Sequence, residues 1–305
     1  MQRFILRRVV QSAVMLVVVA LLVFALARLT GNPADLLLPE DTTREDRADL
    51  LKALGLDRPT HEQLGLFLVG AVRGDLGTSI RYRKPAVEVF FERLPNTLAL
   101  VPLALVGAVG MAIPLGVLAA VYRGTLIDRG SNVLAVLGIA TPSFWLGIVL
   151  IYVFSIQLGW LPSARMGGPL HYILPAITLG AFLVAGMMRL VRSSVLEVLE
   201  SEFVKLARIK GLPRRVVIWK HCVRNALIPV VTLFGVFFAL LVTGAIVTET
   251  VFAWPGVGRL TYEAVIFRDY PLLQAVILLK AVIVLTVNLG VDVLYAYIDP
   301  RVRYA

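Results

Sequence analysis

His61 and Glu62 begin like a metalloprotease helix, in which histidines four residues apart hold zinc and a glutamate acts as base. The second histidine would fall at position 65, which is Gly65. The other histidines, His171 and His221, are dispersed along the chain, so the pattern predicts no metal site. No Gly-x4-Gly-Lys-Ser/Thr run is present either, so any nucleotide phosphate must be held by a partner. Gly256 and Gly258 in WPGVGRL echo a nucleotide loop only superficially. With Trp254 and Pro255 they read as a tight turn or a short re-entrant gate element. Two further suspects, Lys280 and Asp292, lie inside an apolar run, where ionisable residues invite a proton-relay or ion-path reading. Asn288 and Asp292 share a helix face at i, i+4. The competing reading is structural, with Asp292 near the end of its run and paired to an arginine of segment 189–225 or of the tail.

The elements that must position these residues are set by composition. The chain has 305 residues, is 58% hydrophobic and carries a net charge of +10. That apolar content points to an all-α integral membrane protein and overrides the soluble-domain reading of its length. The basic residues fall between apolar runs, where membrane orientation explains them before nucleic acid does. Lipid is therefore an expected partner and nucleic acid is not. The single cysteine, Cys222, can form no internal disulfide and reads as a buried, inert thiol.

Six runs are long enough to cross a hydrocarbon core of roughly 30 Å: 9–27, 97–121, about 131–155, about 172–188, 226–248 and about 272–296. The last survives its two charges, because its Leu, Ile and Val contribute about −4 to −7 kcal/mol against about +2.5 to +3.5 for a central charge. The first competes with a cleaved signal ending at Ala25-Leu26-Ala27, but its length favours an uncleaved anchor. Arginines crowd the start, the turn with Arg123 and Arg129, segment 189–225 and the Arg301, Arg303 tail. The positive-inside rule then places both termini in the cytoplasm. The expected organisation is a cytoplasmic N-terminus and first span over 1–30, an external cap over 31–96, and a core of five spans over 97–305.

Within the cytoplasmic segment 189–225, apolar residues from Val195 to Ile209 recur at helical spacing, predicting one helix of about 20 Å. Gly211 supplies a left-handed C-terminal position and Pro213 starts a second short helix, 214–224. Two helices joined by a Gly-Leu-Pro corner form a basic knob, read either as a solvated loop or as a docking element for a cytoplasmic partner.

EFVKLARIKGLPRRVVIWKHCVRNALIPV, Glu202 to Val230, resembles the coupling loop of ABC-importer permeases of the oligopeptide, dipeptide, glutathione and nickel group. So do TGNPAD, LGLDRP, RGDLGTSI, RLPNTLALV, TPSFWLG, LGWLPS, HYILPAITLG, ETVFAWPGVGRL, RDYPLLQA and NLGVDVLYAYIDPRVRY, so the resemblance spans nearly the whole chain. Each string is weak alone; their order and spacing carry the match. The wider ABC coupling motif has Glu-Ala-Ala where this chain has Lys205, Leu206 and Ala207, so only Ala207 and Gly211 match. His221, Val223 and Arg224 occupy the later Ile, Leu and Pro slots, and the proline has moved to Pro229, as in the peptide subgroup. Contacts made by that family's Glu therefore do not transfer.

The resemblance implies a type I importer permease in a prokaryotic inner or plasma membrane. Its implied partners are a second homologous permease, two ATP-binding-cassette ATPases that carry ATP and Mg, and an extracytoplasmic substrate-binding protein. Ala207, Gly211 and Leu212 become the expected ATPase-coupling residues, supported by Lys205, Arg208, Arg214 and Arg215. Trp254, Pro255, Gly256 and Gly258 become the expected outer gate or turn. Dipeptides, oligopeptides, glutathione and nickel chelates all remain open as cargo. A secondary transporter built on Lys280 and Asp292 is the main alternative class, and a membrane scaffold without transport is a third.

Overall fold

The computed structural model describes residues 2–29, 52 and 57–298. The string TGNPAD, the first three residues of LGLDRP, most of the expected cap before residue 57 and the Arg301, Arg303 tail lie outside them. The described residues are helical apart from turns and one isolated bridge, Thr78 to Pro85. In chain order the helices are α1 Gln2–Leu29, α2 Thr60–Arg73, α3 Ala86–Val121, α4 Leu126–Ala140 and α5 Ser143–Leu150. α6 Ile173–Leu199 and α7 Glu202–Ile209 follow. α8 is a helical stretch, 214–226, whose middle turns, Val217–Val223, are π-helical. α9 Ile228–Val251, α10 Val257–Ile266 and α11 Tyr270–Ile298 complete the chain. Residues form two compact units, Met1–Asn96 with Gly256–Ala305, and Thr97–Pro255.

In the first unit α1 lies along α11, and its buried core joins Ala20 of α1, Phe90 of α3, Leu260 of α10, and Leu272 and Val276 of α11. Asp269 organises the connections. Its carboxylate accepts hydrogen bonds from Ser79 Oγ at 2.5 Å, the Arg81 amide at 3.1 Å and the Leu272 amide at 3.2 Å, and it is 1% exposed. The Arg81 guanidinium sits 3.5 Å above the Phe267 ring. Tyr82 donates to Glu263 at 2.7 Å, and Arg259 holds the other oxygen of that carboxylate at 2.9 Å. Burial first, and then the bond to Glu263, raises the Tyr82 phenol above its ordinary 10.0. Thus RGDLGTSI and RDYPLLQA, almost two hundred residues apart, are one folded feature.

In the second unit α6 is the centre, with 12 of its 27 residues buried between its neighbours. Close approach to α3 depends on two glycines: a Cβ on Gly116 would lie 2.7 Å from the Met188 carbonyl oxygen, and one on Gly180 would lie 2.8 Å from that of Ala104. Outward-facing apolar side chains such as Val133, Leu134, Val136 and Leu137 of α4 are all more than half exposed, as lipid-facing residues should be.

Among the described residues four helices are long and apolar enough to cross a membrane: Ile5–Ala27, Ala86–Val121, Pro169–Leu199 and Tyr270–Val293. The run expected as one span over 131–155 is instead a pair, Leu126–Ala140 and Ser143–Gln157, bent by 104°. The reason lies in TPSFWLG. Pro142 has no N–H for the Gly138 carbonyl and forces Thr141 into extended backbone (φ −79°, ψ 120°). Within α9, Gly235–Val251 is a shorter apolar stretch.

Candidate functional site

The helix expected over 195–209 is split. α6 ends at Leu199 and Ser201 adopts extended backbone (φ −70°, ψ 151°), its hydroxyl donating to the Val198 carbonyl at 2.5 Å. The Ser201 carbonyl then accepts the Val204 and Lys205 amides, each at 3.1 Å, which starts α7 as a separate helix of 8 residues. Glu202 in its first turn and Arg208 in its last agree with the helix dipole.

α7 has two faces. Val204 and Ala207, three residues apart, are buried against Val217 and Cys222 of α8. Ala207 therefore sets the spacing of the two helices rather than offering a surface. Burial pushes the Cys222 thiol up, and the nearby Arg208 charge only partly opposes it. The opposite face presents Phe203, Leu206 and Ile209, 45%, 52% and 81% exposed, beside exposed Lys205 and Arg208. Lys205 pairs with Glu202 at 2.7 Å.

The corner is a Schellman cap. The Gly211 amide reaches the Arg208 carbonyl at 3.0 Å, and the Leu212 amide reaches that of Ala207 at 3.4 Å. Gly211 has φ 75°, and no atom lies within 4 Å of where its Cβ would be. The glycine is thus required by conformation, with open space beside it. Pro213 (φ −61°, ψ 140°) caps α8, accepting the Val216 amide at 2.8 Å. Leu212 is 37% exposed, Arg215 is exposed, and Arg214 lies over the Tyr122 ring at 5.7 Å. Pro229 falls in the first turn of α9, where a missing N–H costs nothing.

Below this knob, Arg192 of α6 grips Asp128 of α4 with both arms, Nε to Oδ1 at 2.7 Å and Nη2 to Oδ2 at 3.0 Å. Asn132 and the Gly124 amide complete the carboxylate's partners at 3.1 and 3.0 Å. Sequence reading missed this clamp. Its one signal was an acid in the first turn of an apolar helix beside an otherwise basic turn.

A turn is present at WPGVGRL, and its left-handed residue is Ala253 (φ 49°), not a glycine. The Trp254 amide closes it on the Glu249 carbonyl at 2.8 Å. The Trp254 ring is fully buried and meets Tyr172 edge-on at 4.7 Å, while Pro255 leads into Gly256, which caps α10 in extended backbone. Gly258 is buried in α10. Glu249, also unrecognised in sequence, is fully buried and accepts the Thr97 hydroxyl at 2.7 Å.

Lys280 and Asp292 are not brought together, since they stand twelve positions apart along α11, a rise of about 18 Å. Asp292 pairs with Arg8 of α1 at 3.2 Å, an arginine outside the expected set; the tail arginines of that set lie outside the described residues. The N-terminal helix packs along α11, which brings Arg8 to Asp292. Among the described residues no three His, Cys, Asp or Glu side chains form a group that could hold a metal ion.

Residues 112–304 match the family described as binding-protein-dependent transport system inner membrane component, and residues 1–101 match its N-terminal companion. Glutathione transport system permease proteins GsiC of Salmonella typhimurium and Escherichia coli K12 are 42% identical over 305 residues, covering all of both chains. The methionine ABC transporter MetNI, in inward-facing conformations, superposes with a TM-score of 0.59 at 17% identity, over 69% of this chain and 96% of that one. An amino acid ABC transporter with histidines gives 0.54 at 16%, over 68% and 92%. These two show a shared fold. The chain belongs to the binding-protein-dependent inner membrane component family, as a permease of the oligopeptide, dipeptide, glutathione and nickel group of ABC importers, a transport subunit rather than an enzyme.

Proposed function

We infer that this chain imports a small peptide across a prokaryotic inner membrane, with glutathione the first candidate because close relatives bear that name. The observation that carries the mechanism is α7: a short helix closed by a Schellman cap at its C-terminus, packed on α8 by one face and offering Phe203, Leu206 and Ile209 with Lys205 and Arg208 on the other. Such a face suits a groove on an ATPase subunit, with aliphatic anchors at the centre and charges around them. Gly211 and Leu212 fix the corner, and Arg214 and Arg215 border it. A rigid helix pair conveys nucleotide-driven closure as a rigid-body movement, and the Asp128–Arg192 clamp passes it from α6 to α4.

In this reading α1, α3, the bent pair α4–α5, α6, α9 and α11 are six spans with both termini inside. A second permease completes the pathway, two ATPases bind inside with ATP and Mg, and a binding protein delivers cargo outside. The Trp254–Gly258 turn forms part of the outer gate. Purification of the chain from its host in mild detergent, with mass identification of co-purifying proteins, tests the assembly. A second permease and one or two ATPases arriving together support it; recovery of the chain alone after cross-linking refutes it. Uptake of labelled glutathione and of dipeptides by cells with and without the chain decides the cargo.

A further inference from the structure

We propose that the cavity beside the Gly-Leu-Pro corner binds the phosphate headgroup of an anionic phospholipid from the cytoplasmic leaflet. The cavity encloses about 420 Å³. Its charged lining is Arg208 and Arg214, and the remainder is aliphatic, including Val121, Leu199, Leu212 and Val217. Two positive charges thus face a space lined by no carboxylate. The acids nearby are engaged elsewhere: Glu202 with Lys205 at 2.7 Å and Glu200 facing Arg123 at 4.0 Å. Arg208 makes no ion pair among the described residues, whereas Arg214 is steered by the Tyr122 ring and by the Val121 carbonyl, 3.5 Å from its Nη2.

Depth identifies the ligand's source. Val121 ends the apolar span Ala86–Val121, so the cavity reaches the level where hydrocarbon gives way to headgroups. Basic pockets at that level, between the inner ends of membrane helices, suit acidic lipid headgroups. A free phosphate would use the guanidinium groups and leave the aliphatic walls wet; a phospholipid lays its glycerol and first methylenes on them. The bound phosphate joins Arg208 at the end of α7 to Arg214 at the start of α8, across the corner. The inference rests on the reading that segment 189–225 faces the cytoplasm.

The full chain, reconstituted in phosphatidylcholine discs containing phosphatidylglycerol, is examined by native mass spectrometry for lipid retained on ejection. Two basic side chains at a membrane surface favour phosphatidylglycerol by roughly thirtyfold. Arg208→Gln with Arg214→Gln is expected to abolish that preference, the double Lys variant to keep most of it as a control for folding, and Arg215→Gln to leave it intact. Equal retention of both lipids by the unaltered chain overturns the proposal. So does an Arg215→Gln effect equal to that of the double variant. Displacement of the lipid by millimolar glycerol phosphate also overturns it, in favour of a soluble phosphate ligand. ATPase co-purification is scored separately on the same variants, so loss of coupling with lipid retained strikes the coupling reading alone.

Discussion

Substitution of Gly211 separates conformation from contact at the coupling corner. With φ 75° and nothing within 4 Å of a Cβ, Gly211→Ala introduces no clash. Its cost is that of a left-handed L-residue, about 1–2 kcal/mol. If the Schellman corner must be formed for α7 to transmit force, that penalty lowers the competent population by a factor of roughly 5 to 30. Gly211→Asn tolerates the left-handed region and should keep most of the activity, whereas the β-branched side chain of Gly211→Val should do worst. The assay is uptake of labelled peptide, normalised to membrane abundance, with the expected order Gly, Asn, Ala, Val. Full uptake by the Val variant refutes the coupling assignment. An Asn variant as inactive as Val refutes the conformational argument and shows that a partner needs the empty space itself.

Removing one arm of the α4–α6 clamp, as in Asp128→Ala, should destabilise the second unit by about 1.5–3 kcal/mol, because it strips charged hydrogen bonds from Arg192. Asp128→Ala with Arg192→Ala should cost less than the sum of the single changes in thermal unfolding; additivity would mean the pair contributes nothing. The Tyr82 phenol is raised in the folded state, so its contribution is present below pH 10 and is lost as pH climbs through the raised value. Tyr82→Phe should therefore flatten the alkaline loss of stability, and an unchanged profile would exclude this role. Cys222 should react slowly with maleimides while α7 is seated on α8, and Ala207→Leu, overpacking that contact by about 1–3 kcal/mol, should speed labelling; equal rates would show that α7 is not the cover.

Much of this architecture was legible because apolar runs and glycine-proline punctuation act locally. The left-handed Gly211, the Pro213 start and the first-turn Pro229 follow from backbone sterics that any neighbour would leave unchanged. The split at Ser201 was not legible, because Val195 to Ile209 keeps helical periodicity across the break. A hydroxyl that can satisfy the Val198 carbonyl competes with the helix without altering that pattern. The bend at Thr141 was obscured for a different reason: hydropathy averages over a proline. Asp269 and Glu249 were hidden by distance, since their hydroxyl partners Ser79 and Thr97 lie 190 and 152 residues away. The same distance explains why several family strings look weak singly, each carrying half of a hydrogen bond.

The 104° bend also bears on how the subunit is made. Pro142 leaves the Gly138 carbonyl without its helical donor, in the middle of an apolar pair of helices. Acyl chains cannot satisfy such a group, so irregular backbone at that depth persists only against protein or water. A newly inserted copy without its neighbours would hold this elbow against lipid, at a cost of several kcal/mol for each unsatisfied group. Synthesis in excess of its partners should thus yield a short-lived orphan cleared by membrane proteases, and its half-life, followed by pulse-chase with and without the second permease, would make Pro142 a checkpoint for stoichiometry.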